Sequence, residues 1–99
     1  MRNGSSPVRP AINLKPMPYF VYILMSQKDQ SFYIGQTQNL DDRLTRHNQG
    51  RSRYTKTKMP WSLVHYESFE NRQTALKREA HLKSLRNKKS ILEIISPTG

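Results

Sequence analysis

Two short segments rich in β-branched and aromatic residues, separated by a polar stretch, most constrain the fold of this chain. They cover residues 19–25 and 31–35, and the residues between them are polar. Runs of this composition favour strands, and a short polar connection between two such runs favours a hairpin. Because the chain has 99 residues, we expect a single small domain built around this hairpin.

The register of the hairpin determines how its tyrosines are placed. If the turn centres between Lys28 and Asp29, Tyr33 pairs with Leu24 and Tyr22 lies diagonally beside it on the same face. A slip of one residue would send the two tyrosines to opposite faces. Two adjacent hydroxyls can bind a water or a phosphate oxygen, but aromatic residues are also common in strands for packing alone.

Helix caps and apolar spacing predict the remaining elements. Asn39 and Asn71 are suitable N-caps, and Gly50 is a suitable stop. The predicted elements are a helix over residues 40–50, a strand over residues 63–69, a helix over residues 72–85 and a last helical segment over residues 88–95. The expected fold class is α+β, with a small three-stranded antiparallel sheet flanked by helices.

The N-terminal part of the chain differs in composition from the rest. Residues 1–18 hold four of the six prolines, three basic residues and no acid, which predicts a disordered basic tail before a folded domain over residues 19–95. A transmembrane helix is excluded because no run of about 20 apolar residues occurs, and a signal peptide is not expected. The absence of cysteine excludes disulfides and thiolate sites, and a cytoplasmic location fits best.

The charge of the chain indicates a polyanionic partner. Seventeen Lys and Arg against seven Asp and Glu give a formal net charge of +10, which favours nucleic acid as the first hypothesis. In the loop between the predicted first helix and third strand, basic residues alternate with hydroxyl-bearing residues and one aromatic residue. This chemistry suits phosphate contacts and one stacking surface, and the predicted nucleic-acid-binding residues are Arg51, Arg53, Tyr54, Lys56 and Lys58. The alternative is that the loop is simply a solvated charged segment.

Three charged or titratable residues in the helices are unusual for a plain structural domain. Glu79 is spaced to share the apolar stripe of its helix with Ala75, Leu76 and Leu82, where a carboxylate needs a cationic partner. A buried ion pair, or a stripe edge open to solvent, would also explain it. Arg43 and His47 lie four residues apart beside an apolar face, and an arginine fork binds phosphate while histidine accepts a proton near neutral pH. Packing of both over the sheet is the alternative.

In order along the chain, Tyr22, Tyr33-Ile34-Gly35, Arg43, His47 and Glu79 resemble the pattern of the GIY-YIG endonuclease superfamily. The resemblance extends over residues 19–95 and is greatest to small stand-alone bacterial members whose activity is uncharacterised. The second half-motif is intact, whereas Phe20-Val21-Tyr22 stands where the family has Gly-Ile-Tyr. The matching tyrosine is nevertheless present.

The resemblance implies a site on one face of the sheet and a role for each of these residues. Glu79 would bind a single divalent ion, Mg²⁺ or Mn²⁺, and Arg43 would neutralise charge on the phosphoryl oxygens. Tyr22 would act as the general base or position the water, with His47 as its partner or replacement, and Tyr33 would orient the water or the phosphate. No glycine-rich loop or zinc pattern competes with this interpretation, and one carboxylate is sufficient for Mg²⁺ because that ion keeps several waters.

We therefore predict a metal-dependent endonuclease that hydrolyses phosphodiester bonds in DNA, in preference to RNA on family grounds, and that is structure-specific or non-specific. A targeting protein is a further expected partner, because basic loops carry little sequence information. The alternative is a catalytically inactive nucleic-acid-binding module that kept the nuclease fold. A carboxylate at Glu79 argues against a pure binder, since it would repel phosphate unless a metal lay between them.

Overall fold

The computed structural model describes residues 17–96, and within them the chain forms a three-stranded sheet and three α-helices. The elements are β1 (Tyr19–Ser26), β2 (Phe32–Thr37), α1 (Leu40–Asn48), β3 (Trp61–Phe69), α2 (Arg72–Ser84) and α3 (Lys88–Ile95), with a short 3-10 helix at Lys56–Lys58. The sheet is antiparallel with the order β2-β1-β3, so β1 is the central strand. The predicted α+β class and three-stranded sheet are confirmed.

The hairpin of β1 and β2 adopts the predicted register. Leu24 lies opposite Tyr33, and Tyr22 lies opposite Gly35. The turn is held by Ser26, whose Oγ accepts hydrogen bonds from the backbone N–H groups of Lys28 and Asp29 at 3.0 and 3.2 Å. Tyr22 and Tyr33 therefore lie on one face of the sheet, as the spacing predicted.

The two faces of β1 are covered by different helices. Val21 and Ile23 are buried in a cluster with residues of α2 and α3 (Ala75, Leu82 and Ile91). Tyr22 and Leu24 point to the opposite face, where they pack in a cluster with Trp61 and with α1 residues Leu40 and Leu44. Since a strand alternates its side chains, this arrangement explains why β1 has a continuous apolar sequence.

Asparagine caps begin all three α-helices of the described region. Asn39 and Asn71 accept hydrogen bonds from the backbone N–H groups of Asp42 and Thr74, as predicted, and Asn87 caps α3 in the same way. The third strand begins at Trp61, earlier than predicted. The reason is tertiary, because the Asn48 side chain bonds both the N–H and the carbonyl of Trp61 while Trp61 pairs with Ser26.

The predicted basic tail, residues 1–18, lies outside the described residues apart from Met17 and Pro18. Its disorder, and the domain boundary after it, therefore stay predictions. Within residues 17–96, no helix is both long enough and apolar enough to cross a membrane.

Candidate active site

A cleft of about 440 Å³ opens along the outer edge of β2. Four of the five residues predicted to be catalytic line it, namely Tyr22, Tyr33, Arg43 and Glu79. Two arginines, Arg43 and Arg72, face a single carboxylate there, so the lining carries a net positive charge. A cleft with this balance is suited to an anionic group such as a phosphate.

The cleft draws its residues from both faces of the sheet. Tyr22 and Tyr33 lie on the face covered by α1, whereas Gln36 lies on the face covered by α2. The Gln36 side-chain amide donates a hydrogen bond to the Glu79 carboxylate at 3.3 Å, which brings Glu79 to the edge of β2. The candidate cleft therefore includes residues from both faces of the sheet, beside its edge strand β2.

Gly35 makes room for the ring of Tyr22. These residues are paired across the two strands, and a Cβ added to Gly35 would lie 2.6 Å from Cζ of Tyr22. Any side chain at position 35 would therefore displace the phenol, which is 1% exposed and buried in the packed face below α1. This close approach gives a physical reason for the glycine of the Tyr33-Ile34-Gly35 motif.

Replacing Gly35 by alanine is therefore expected to lower the free energy of unfolding by about 1–3 kcal/mol, the usual cost of overpacking. Thermal unfolding should show a melting temperature lower by about 4–8 °C for each kcal/mol in a domain of this size. Gly50→Asn is the control, because Gly50 has a φ of +74° that asparagine tolerates and no such close neighbour. A melting temperature equal to that of wild type in Gly35→Ala would contradict this account of the glycine.

Arg43 carries an unusual buried nitrogen. Among the described residues, its Nε is the buried side-chain polar atom that has no hydrogen-bond partner. Buried donors are almost always paired, because an unpaired one costs free energy. Arg43 lines the cleft, and its guanidinium lies close enough to Tyr22 to lower the pKa of that phenol, against a larger rise caused by burial.

Glu79 is mostly buried at the cleft, with a side chain that is 16% exposed. Its carboxylate accepts from Gln36 and forms an ion pair with Lys83 at 3.0 Å, one helical turn further along α2. The predicted stripe holds for Ala75 and Leu82, which are fully buried, but Leu76 is 41% exposed and lines the cleft instead. The helix is rotated so that Glu79 and Leu76 face the cleft rather than the core.

His47 lies behind the cleft rather than on its surface. It is buried, and its Nε2 lies 3.3 Å from the Tyr22 hydroxyl while its Nδ1 lies 2.8 Å from Oγ1 of Thr55. Burial lowers the pKa of His47 below 6.5, with a further contribution from the Arg43 charge, so the imidazole is neutral at pH 7. Burial raises the pKa of Tyr22, so its phenol stays protonated. A neutral imidazole thus faces a protonated phenol.

Thr55 is a site residue that the sequence did not reveal. It is fully buried, bonds His47 through its side chain, and accepts from the Trp61 indole N–H through its carbonyl at 3.0 Å. The loop that contains it has the composition of a basic surface segment, since lysines and arginines recur through it. The burial of Thr55 cannot be predicted from the neighbouring Lys and Arg residues, because its hydrogen-bond partners lie in α1 and β3.

The predicted nucleic-acid-binding residues differ in their availability. Arg51, Arg53 and Lys56 are exposed, whereas Lys58 forms an ion pair with Asp29 at 3.2 Å. Tyr54 is 79% exposed, and its ring centroid lies 5.9 Å from that of Tyr33. The loop therefore presents three exposed cations and one aromatic ring beside the cleft, and Lys58 is the least available of the five.

Comparison with known proteins identifies the class to which this fold and cleft belong. A family model described as the GIY-YIG catalytic domain matches residues 18–91, which is most of the chain. The chain therefore belongs to the GIY-YIG family, a nuclease superfamily, as its motifs predicted.

Relatives within that class are small proteins named UPF0213. A UPF0213 protein of Clostridium perfringens is 46% identical over 79 residues, covering 78% of this chain and 82% of the relative. One from Natronomonas pharaonis is 35% identical over 82 residues, covering 82% of this chain and 95% of the relative. The solution NMR structure of a UPF0213 protein from Bacillus halodurans is similar, with a TM-score of 0.51 and 34% identity over 81% of this chain and 86% of that one.

Proposed function

We propose that the chain is a metal-dependent endonuclease that hydrolyses phosphodiester bonds in DNA at the cleft on the β2 edge. The observation that carries the proposal is that Arg43 and a single carboxylate, Glu79, line one cleft together with Tyr22 and Tyr33. Membership of a nuclease superfamily supports a nucleic-acid substrate. DNA rather than RNA, and the requirement for a metal, are parts of the proposal.

The donor set at Glu79 fits one hard divalent cation. In the described residues no group of three or more His, Cys, Asp or Glu side chains could hold a metal, so a dense carboxylate site is not formed. Mg²⁺ does not need one, since it is commonly held by one or two carboxylates together with waters and substrate phosphate. Glu79 would hold the ion after releasing Lys83, and the ion would supply Lewis-acid polarisation of the phosphate.

The residues of the chain would then share the work of hydrolysis. Arg43 binds the phosphoryl oxygens through its guanidinium group and stabilises the charge that builds on them. The Tyr22 hydroxyl takes a proton from the attacking water as its own proton passes to Nε2 of His47. The resulting hydroxide attacks phosphorus, the bond to the leaving oxygen breaks, and that oxygen takes a proton from solvent. Thr55 keeps the imidazole oriented for this transfer.

Cleavage of DNA by the purified chain tests the proposal. Supercoiled plasmid and a branched duplex are incubated with Mg²⁺, with Mn²⁺ and with EDTA, and products are separated on gels. We expect nicking with either metal and none with EDTA. Binding of both DNAs without cutting under all three conditions would instead assign the chain as a binding module that kept the fold.

The direction of the His47 pKa predicts how cleavage depends on pH. Because burial lowers this pKa from its ordinary value, the imidazole loses its proton-accepting form only at a more acidic pH than a free histidine does, so the rate should fall on the acidic side of neutrality. His47→Gln should lower the rate by about 10²-fold or more and remove this acidic limb. Measured rates between pH 5 and pH 8 for both proteins check the prediction.

Thr55 provides a matched pair of controls for the histidine. Thr55→Ser keeps the hydroxyl and should keep the wild-type profile, whereas Thr55→Val keeps the shape, loses the bond to Nδ1 and should shift the acidic limb. An acidic limb that persists unchanged in His47→Gln would assign it to another group.

The exposed cations of the loop should contribute to DNA affinity through phosphates. In a variant with Arg51, Arg53 and Lys56 all changed to alanine, we expect weaker binding and a smaller salt slope, d log K/d log[salt]. Its magnitude should fall by up to about 0.9 for each phosphate that the protein no longer neutralises. Fluorescence anisotropy with labelled duplex at 50–200 mM salt measures it.

Two exposed cations outside the cleft supply the control for the loop variant. Lys77→Ala with Lys89→Ala removes positive charge from α2 and α3 without changing the loop. The control removes two charges and the loop variant three, so we expect the control to lose less of the salt slope for each charge removed. An equal slope in wild type and both variants would show that the loop does not touch DNA.

A further inference from the structure

A second cleft, of about 510 Å³, lies along the β2 edge on the side of α3. Phe32, Leu82 and Ile91 give it an apolar lining, and Tyr54 also lines it. Tyr33 lines this cleft and the candidate active site alike. The two clefts therefore adjoin at Tyr33. We call this second cleft the α3 groove.

Cations surround the α3 groove. Lys83, Arg86 and Lys88 line it and are exposed, and none of the described residues that line it is acidic. Lys83 also forms the ion pair with Glu79, so its side chain spans the distance between the groove and the candidate active site. An apolar peptide or a lipid chain would leave the charges of Arg86 and Lys88 unmatched, whereas a ligand with both a flat apolar part and an anionic part would satisfy the groove.

We propose that the α3 groove binds an unpaired nucleotide adjacent to the scissile phosphate, so that the substrate is a nucleic acid with an unpaired segment next to the cut. The proposal rests on the function proposed for the neighbouring cleft and specifies its substrate class. The base lies against Tyr54, and the flanking phosphates pair with Arg86 and Lys88.

The geometry favours an unpaired base over a paired one. In a duplex both faces of a base are covered by stacked neighbours and its edge by its partner, so it enters a concave groove only after leaving the stack. The Tyr54 side chain is 79% exposed, so its ring is accessible to an incoming base. Its ring centroid lies 5.9 Å from that of Tyr33, which lines both clefts. Aromatic rings beside basic side chains are the usual means of holding single strands.

The test measures binding in EDTA, so that it does not depend on cleavage. The probes are a duplex with a three-nucleotide unpaired segment carrying 2-aminopurine and a fully paired duplex carrying the same label. We expect wild-type protein to quench the unpaired label and leave the paired label unchanged. Tyr54→Ala should lose the quenching and bind the unpaired probe about 5- to 150-fold more weakly, as for loss of one stacked base, while Tyr54→Phe keeps both.

The cations are tested separately on the same probes. Arg86→Ala with Lys88→Ala should weaken binding of the unpaired probe more than that of the paired duplex. Lys77→Ala with Lys89→Ala removes the same charge from α2 and α3 outside the groove and should weaken the two probes equally. This comparison distinguishes specific binding of the unpaired nucleotide in the α3 groove from the non-specific electrostatic attraction of a basic protein for DNA.

The outcomes separate this inference from the proposed function. Equal affinity for both probes without quenching would overturn the unpaired-nucleotide subsite, even if the protein cuts DNA. Quenching that requires Tyr54, in a protein that cuts nothing with Mg²⁺ or Mn²⁺, would support the subsite as a binding site and refute the nuclease proposal.

Discussion

Replacing Glu79 by glutamine is expected to abolish metal-dependent cleavage while DNA affinity stays equal or increases. The amide keeps the size of the side chain but removes the charge, and Glu79 is the carboxylate that lines the candidate active site. Loss of Lewis-acid stabilisation worth several kcal/mol corresponds to a fall in rate of about 10³-fold or more. Affinity should not fall, because a negative charge near the phosphate is removed. Nicking assays with Mg²⁺ and anisotropy in EDTA measure the two quantities.

Glu70→Gln is the matched control for this change. Glu70 is exposed and lies in the turn before α2, outside the cleft, so its variant makes the same change in net charge without touching the site. We expect it to cut DNA at the wild-type rate. If Glu79→Gln also cuts at that rate, the carboxylate does not hold the metal and the metal assignment is wrong.

Replacing Arg43 by alanine is expected to lower the cleavage rate by about 10²–10³-fold, the usual effect of removing one preorganised donor from a transition-state site. The effect should fall mainly on kcat, because the guanidinium is placed where charge develops on the phosphoryl oxygens. The unpaired buried Nε shows that this side chain is positioned without a protein partner for that atom. Single-turnover rates on labelled duplex separate the chemical step from binding.

Lysine at position 43 distinguishes geometry from charge. Arg43→Lys keeps one positive charge but loses the planar fork, so it should restore little of the lost rate. Arg46→Lys is the control, because Arg46 is 51% exposed and pairs with Asp42 on the same helix. A full recovery of rate in Arg43→Lys would show that position 43 supplies only charge.

Local sequence signals predicted the elements that depend on local interactions. The asparagine caps of α1 and α2 were predictable because each acts on a backbone N–H only three residues away. The register of β1 and β2 was predictable because a short turn leaves few alternatives and places Leu24 opposite Tyr33. The start of β3 is predicted too late, since its first residue is held by Asn48 on α1 rather than by any local preference.

The candidate site could be predicted only in part. Motif order identified Tyr22, Tyr33, Arg43 and Glu79, and all four line one cleft. It also gave His47 as a partner of Tyr22, and the imidazole lies 3.3 Å from the Tyr22 hydroxyl, but it did not reveal that Thr55 supports the imidazole. The contact of Thr55 with His47 depends on the packing of α1 against the loop that follows it. The many charged residues of that loop predict a solvated segment, so this packing was not expected.

The sequence by itself determined the α+β class, the hairpin register, the helix caps, the basic character and the family. All of these follow from interactions within a few residues, from motif order or from composition. The tertiary structure decided that the candidate site residues meet in a cleft beside β2 that draws on both faces of the sheet. Gln36 and Glu79 meet there although 43 positions separate them, because α2 crosses the sheet at its edge strand. Such a meeting depends on how the packed layers are oriented, which short-range preferences do not specify.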